Sequence, residues 1–277
     1  MNPERTIERR TAMRLGGAIA LGGTGAVAGA VSPASRPAAN PAPSPSGAER
    51  TYLFGYGSLI QRESRTATWP GAREAVPVTV RGVSRGWYDR VETVSWGPTY
   101  LGAVPGKGAT CNGVLFPVTR KELADYTRRE SGYRPTRIPT RDISVLDGST
   151  APPVGVVWYF ANVVRRRPDE LFPIVQSYVD VCLDGCLEIE ESHPEAREAR
   201  FAEEFIRTTS GWRTPWFNDR IHPWRPFVHV PRANAIDTLL RDGLGQGLFD
   251  EITLPRRPAR PAWLPRVPGC AGCVAPG

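Results

Sequence analysis

The chain has 277 residues, enough for one good-sized domain with appendages, and its 40% hydrophobic content excludes a fully disordered protein. Its net charge of +7 sits at the ends: residues 1–50 hold six Arg against three Glu and residues 251–277 four Arg against Glu251, which leaves +1 for residues 51–250. A nucleic-acid surface belongs to the folded part of a protein, so this distribution speaks against a nucleic-acid partner.

In chain order, the first feature is Arg9-Arg10 ahead of a weakly apolar, Ala- and Gly-rich run from Leu15 to Val31. Paired arginines before such a run resemble a bacterial twin-arginine export signal. The run holds six glycines and is too short for a stable transmembrane helix. Ala26 and Ala28 offer a cleavage site, and Ser32-Pro33-Ala34 another. Residues 1–32 are therefore expected to be an export signal, 33–50 a Pro/Ala/Ser-rich linker, 51–250 a single folded domain and 251–277 a Pro/Arg-rich tail. This predicts an exported protein, periplasmic or extracellular, without stable membrane insertion once the signal is removed. A mis-assigned start codon would instead leave it cytoplasmic.

Tyr52 to Ile60 reads as a strand running into a glycine-rich bend, and Val78, Val80 and Val83 as a second strand continuing toward Trp87-Tyr88. Thr99–Val104 and Cys111–Val118 read as two more, separated by the turn-prone Pro105-Gly106-Lys107-Gly108. Asn112-Gly113 suggests a bulge in the last. Thr119-Arg120-Lys121-Glu122 has capping-box spacing and predicts a helix from Arg120 to Arg129. Strands follow at Thr136–Leu146 and Val154–Ala161. Apolar residues at 174, 175, 178, 179 and 182 predict a helix, with Gln176, Asp180 and Asp184 on its solvated face. Helices are also expected over Pro194–Thr208 and Ala233–Leu240. The aromatic Trp216–Trp224 region reads as packing on the domain, or as a lid over a cavity. Strands early and helices late argue for α+β: a small closed or nearly closed sheet with helices outside.

Cys182 and Cys186 share a helix face and read as core residues, whereas Cys270-x-x-Cys273 lacks a second ligand pair for zinc. His193, His222 and His229 are scattered, so no metal or other cofactor is expected.

Two segments carry chemistry. Gly55 and Gly57 let the backbone bend past a strand end; the bend is either a plain tight turn or a concavity of N–H groups able to hold a carboxylate, with Ser58 adding a hydroxyl. Leu123, Tyr126, Thr127 and Glu130 are spaced i, i+3, i+4, i+7, so Glu130 either lies with the apolar stripe, its pKa raised by desolvation, or pairs with Arg128 or Arg134 at the surface.

Together, Phe54-Gly55-Tyr56-Gly57-Ser58-Leu59-Ile60 and Arg129-Glu130-Ser131-Gly132-Tyr133 resemble the opening signature and the catalytic-glutamate segment of the gamma-glutamylcyclotransferase superfamily. Asn112-Gly113-Val114-Leu115-Phe116 resembles the strand placed before the glutamate helix in that family. The resemblance spans Tyr52 to Phe160. It implies a mixed β-barrel-like fold with surrounding helices, and a small-molecule γ-glutamyl substrate as the partner. The substrate's α-amino and α-carboxylate end would lie on Tyr56, Gly57, Ser58 and Leu59, and Glu130 would be the general acid/base of cyclisation to 5-oxoproline. No cofactor is implied. Tyr133 is a candidate second contact near the carbonyl, or a core tyrosine. Thr127 stands where the family often has Asp. Gln61-Arg62-Glu63-Ser64-Arg65 replaces the Trp and Pro of the glutathione-degrading branch, which points to the broader branch acting on γ-glutamyl amines or amino acids. Two rival readings are a non-catalytic γ-glutamyl-binding module on the same fold and a thiol hydrolase using Cys111 with His229.

Overall fold

The structure, a computed structural model, describes residues 50–72, 74–90, 96–129, 132–147, 155–224 and 232–254. The expected export signal, His229 and the tail cysteines Cys270 and Cys273 lie outside the described residues.

The strands are β1 (Thr51–Gly55), β2 (Val76–Asp89), β3 (Tyr100–Val118), β4 (Tyr133–Ile138), β5 (Ile143–Val145), β6 (Val156–Asn162), β7 (Ile174–Val175), β8 (Thr209–Ser210) and β9 (Trp216–Phe217). The helices are α1 (Arg62–Thr68), α2 (Arg120–Arg129), α3 (Gln176–Ser192), α4 (Pro194–Glu198), α5 (Phe201–Thr208), α6 (Ala233–Leu244) and α7 (Gln246–Asp250). The main sheet runs β4-β6-β1-β3-β2-β5, with β8 pairing β2. β1 lies parallel to β6 and antiparallel to β3, so the sheet is mixed.

The edge strands β4 and β5 are joined by only Pro139 and a 3-10 turn, Thr140–Asp142. That connection spans at most about 18 Å, whereas six flat strands would set the edges about 24 Å apart. The sheet therefore curls until its edges approach, and since no ladder joins β4 to β5 among the described residues it is nearly closed, not closed.

Side-chain alternation along β1 splits the core. Tyr52 and Phe54 join Val78, Val80, Cys111, Leu115, Ile138, Ile143, Val157 and Tyr159 in one cluster. Leu53 joins Phe116 in a second, shared with Val179, Leu183, Phe201, Phe205, Ile236 and Leu240 of the helices. Because Ile138 and Ile143 come from the two edges, the first cluster fills the curl. Among the described residues, no helix is long and apolar enough to cross a membrane.

Several expected elements are found: α2 begins at the capping box, where the Thr119 N–H donates to Glu122 Oε2 at 2.7 Å and the Glu122 N–H to Thr119 Oγ1 at 3.1 Å. Cys182 and Cys186 are fully buried, as core residues should be. Other expectations are corrected. The two runs around Pro105–Gly108 form one strand, because both pair with β2; the turn survives as an outward irregularity where Arg81 pairs Thr110 but Val83 pairs Pro105. Asn112-Gly113 lies in regular pairing without a bulge. Its glycine is needed for contact instead, since a Cβ there would lie 2.4 Å from the Gly55 oxygen. Thr136–Leu146 breaks into β4 and β5 at Pro139, and the 194–208 helix breaks at Arg200 (φ 53). In the Trp216–Trp224 region, which read as packing or as a lid, Trp216 is fully buried and stacks on Trp212, so this residue packs on the domain, while Ile221 is exposed.

The largest correction concerns α3. Gln176, Asp180 and Asp184 are buried, not solvated. The helix is enclosed from Gln176 to Cys186, and its buried carboxylates are matched by partners from remote segments. Arg220 grips Asp180 with Nε and Nη2, each at 2.8 Å, and Gln176 Nε2 donates to the same carboxylate at 2.8 Å. Arg220 also grips Asp237 of α6. Asp184 accepts from Gln61 Nε2 at 2.8 Å and Arg232 Nη1 at 2.7 Å. The Asp219 carboxylate accepts the Ser177 N–H at 2.7 Å and so caps the N-terminus of α3 from outside the helix.

Candidate functional site

Strand register decides which of the sequence-predicted residues meet. β6 runs parallel to β1, with Leu53 opposite Trp158, so the two strands end at the same side of the sheet. There Tyr56-Gly57-Ser58-Leu59 leaves β1. β4 runs back along β6, and its first residue, Tyr133, pairs with Asn162 at that same end. The glycine loop and the start of β4 are thus about two strand spacings, roughly 10 Å, apart.

The loop is clamped from below and behind. Its Tyr56 oxygen accepts from Arg85 Nη1 at 3.2 Å, and the Tyr56 hydroxyl donates to the Phe160 oxygen at 2.8 Å. Arg65 Nη1 donates to the oxygens of Leu59 at 3.0 Å and Ile60 at 2.7 Å. Burial pulls the Arg65 guanidinium down to about 10. The Ile60 N–H closes a turn on the Gly57 oxygen at 2.9 Å. A Cβ on Gly57 would lie 3.1 Å from the Tyr178 hydroxyl, and one on Gly185 only 2.4 Å from the Gln61 nitrogen. Both glycines let α3 press directly on the loop. The Ser58 hydroxyl, half-buried, has no hydrogen-bond partner among the described residues.

Arg85 is the anchor of this arrangement. It is fully buried and no carboxylate among the described residues pairs with it. Its five N–H groups go instead to neutral acceptors: Thr209 Oγ1, the oxygens of Tyr56, Asn112 and Phe205, Asn112 Oδ1 and Thr208 Oγ1. Several of these belong to the C-terminal turn of α5, where the helix dipole favours a cation. Its guanidinium also lies 3.8 Å from the centre of the Phe205 ring.

At the far side of the same sheet end, Tyr133 donates its hydroxyl to the buried Asp89, the last residue of β2. Asn162 Nδ2 donates to the other Asp89 oxygen at 2.7 Å, and Asn162 Oδ1 accepts the Ala103 N–H at 2.9 Å. Gly102 makes room: a Cβ there would lie 2.3 Å from Asn162 Oδ1. Tyr133 is therefore half-buried, packed against the core and held through a carboxylate. Glu130 and Ser131 lie outside the described residues. On one side of them α2 ends at Arg129, and on the other the Gly132 oxygen accepts the Val163 N–H at 3.2 Å.

Sequence reading brought forward Tyr56, Gly57, Ser58, Leu59 and Tyr133, and the strand ends gather all five. It missed Arg85, Asp89, Asn162 and Tyr178. Arg85 carried a signal, because it stands between Val83 and Trp87 at the strand period of two. Asp89 and Asn162 carried none beyond their places at strand ends. Cys111 points into the curl, fully buried, and burial pushes its thiol upward. This works against a thiolate nucleophile. Among the described residues, no group of His, Cys, Asp and Glu could hold a metal ion.

No family model matches the sequence, and no curated protein matches it. Among solved structures, the chain is similar to a gamma-glutamyl cyclotransferase at 13% identity and TM-score 0.42, covering 70% of this chain and 100% of that one. It is similar to an uncharacterized human protein at 15% identity and TM-score 0.41, over 57% of this chain and 87% of the other. A yeast gamma-glutamyl cyclotransferase specific to glutathione is similar at 11% identity and TM-score 0.33, over 57% and 97% of the two chains.

Proposed function

We propose that this protein closes the γ-glutamyl group of a γ-glutamyl amine or amino acid into 5-oxoproline, with Glu130 as general acid/base, and that it acts after export. The observation that supports the reading is the strand register, which gathers the glycine loop, with the unpartnered Ser58 hydroxyl, and the start of β4 at one end of the sheet.

The reaction needs little more than a held conformation. The substrate's own α-amine attacks its γ-carbonyl, a C–N bond forms and the γ-amide C–N bond breaks. Glu130 takes the proton released by the amine and returns it to the leaving nitrogen, so the site ends as it began. Nucleophile and electrophile belong to one molecule, and holding them folded back on each other supplies several kcal/mol of the acceleration, on the order of the lower range known for oriented intramolecular reactions. In this reading the rigid Tyr56–Leu59 loop grips the α-amino and α-carboxylate end, with Ser58 donating. Tyr133, oriented by Asp89, faces the carbonyl.

The test is a panel of γ-glutamyl derivatives assayed for 5-oxoproline by chromatography. Glu130→Gln is expected to keep the circular dichroism of the wild type while turnover falls by roughly a hundredfold or more. A wild-type rate in that variant would refute the mechanism. Ligand binding without lactam from any derivative would identify a binding module instead.

A further inference from the structure

A cleft of about 690 Å³ opens beside the candidate site, lined among others by Trp87, Tyr88, Arg165, Arg167, Trp212 and Arg213. Two chain segments connect it to the site. Tyr88 of its wall is followed directly by Asp89, which holds Tyr133. Asn162, bonded to the same Asp89, is followed three residues later by Arg165. The segment between is pinned rather than loose, because the Val163 N–H donates to the Gly132 oxygen at 3.2 Å and the Arg166 N–H to the Tyr88 oxygen at 3.0 Å. Gly132 is itself two residues beyond Glu130. These links set the cleft at the same end of the sheet as the candidate site.

The charge of the cleft is one-sided. Arg165 and Arg167 make no ion pair or hydrogen bond among the described residues, and Arg213 makes only a long hydrogen bond to the Thr214 oxygen. The nearby Arg90 is different, since Asp169 already neutralises it at 2.7 Å. Among the described residues one acidic residue, Glu251, lines the cleft, and its carboxylate accepts from the Thr214 hydroxyl. Alternation in the exposed Arg165-Arg166-Arg167 run sends the first and third arginines to the cleft. Three arginines lining the cleft, against a single acidic residue among the described ones, suit a ligand with more than one acidic group, because guanidinium forks bind carboxylates through paired hydrogen bonds. The aromatic wall offers little free ring face: the Trp212 ring already meets Trp87 at 5.0 Å and stacks on Trp216 at 5.4 Å. Charge, not stacking, is what the cleft has to offer.

We propose that this cleft receives an acidic leaving half, so that the preferred substrates are γ-glutamyl compounds whose released amine carries two carboxylates, such as γ-glutamylglutamate. The proposal rests on the lactam-forming reading above. It is tested by comparing kcat/KM for γ-glutamylglutamate and for the uncharged-tail γ-glutamylbutylamine, in the wild type and in the Arg165→Gln/Arg167→Gln double variant. The ratio of the two is expected to favour γ-glutamylglutamate in the wild type and to fall at least tenfold in the variant, about what losing one charged hydrogen bond produces. In the wild type the same ratio should fall as sodium chloride is raised, which needs no variant. Calorimetric titration with free glutamate, and with glutamine as the singly charged control, should show glutamate binding that the double variant loses. If both substrates turn over and the ratio is unchanged by variant and by salt, the cleft assignment is wrong and the lactam reading stands. If neither turns over, the lactam reading fails and takes the substrate assignment with it, whatever the calorimetry shows.

Discussion

At the scale of single residues, buried polar groups hold the candidate site, and each has a measurable cost of removal. Tyr133→Phe deletes the hydroxyl that Asp89 accepts, leaving a buried carboxylate short of a donor. Urea denaturation should register a loss of about 1–3 kcal/mol. Were Tyr133 merely a core ring, kcat would survive; the proposed role predicts that kcat drops more than KM rises. Arg85→Leu is more severe. It takes the donor from six acceptors, most of them buried, and a loss beyond about 4 kcal/mol is expected, read as collapse of soluble yield or of the denaturation midpoint. Glu188 behaves oppositely. Burial raises its pKa, although the Arg62 N–H bonded to it counters part of that. A carboxylate with a raised folded-state pKa stabilises the fold least once ionised, and the deficit vanishes below the unfolded value of about 4.3. Glu188→Gln should therefore have a higher Tm than the wild type at pH 7, and the gap should close as the pH falls toward 4.

At the scale of elements, α3 sets the precision of the glycine loop. It presses on the loop through Gly185 and through the Gln61–Asp184 bond, while Asp219 and Arg220 fasten it from the other side. Gly185→Ala would place a Cβ 2.4 Å from the Gln61 backbone nitrogen, so backbone must move. Overpacking of this kind costs about 1–3 kcal/mol. Because the displaced segment adjoins Leu59 and Ile60, KM for any γ-glutamyl substrate should rise, and a melt together with steady-state kinetics would reveal both effects. The capping box of α2, by contrast, was plain in Thr119-Arg120-Lys121-Glu122, since it needs only four consecutive residues. The burial of Asp180 was not legible. Spacing put it with Gln176 and Asp184 on one face, and a polar face ordinarily meets water. The arginine that neutralises it, Arg220, lies forty residues away, and Arg232, which neutralises Asp184, lies forty-eight residues from that carboxylate.

At the scale of the whole molecule, the curl of the sheet brings remote segments together. A linker of Pro139 and three further residues draws β4 and β5 toward each other, and the resulting interior is packed from both edges by Ile138 and Ile143. The sequence by itself determined the α+β class, the strand at Tyr52, the capped helix at Arg120 and the glycine bend at Tyr56–Leu59, because periodicity, capping and glycine bends are local. Only the tertiary structure decided that Asp89 accepts from Tyr133, that Arg85 is buried at the root of the loop with neutral acceptors as its partners among the described residues, and that three arginines share one cleft. Those facts depend on register between strands and on helix packing, and register is fixed by contacts between residues far apart in the chain.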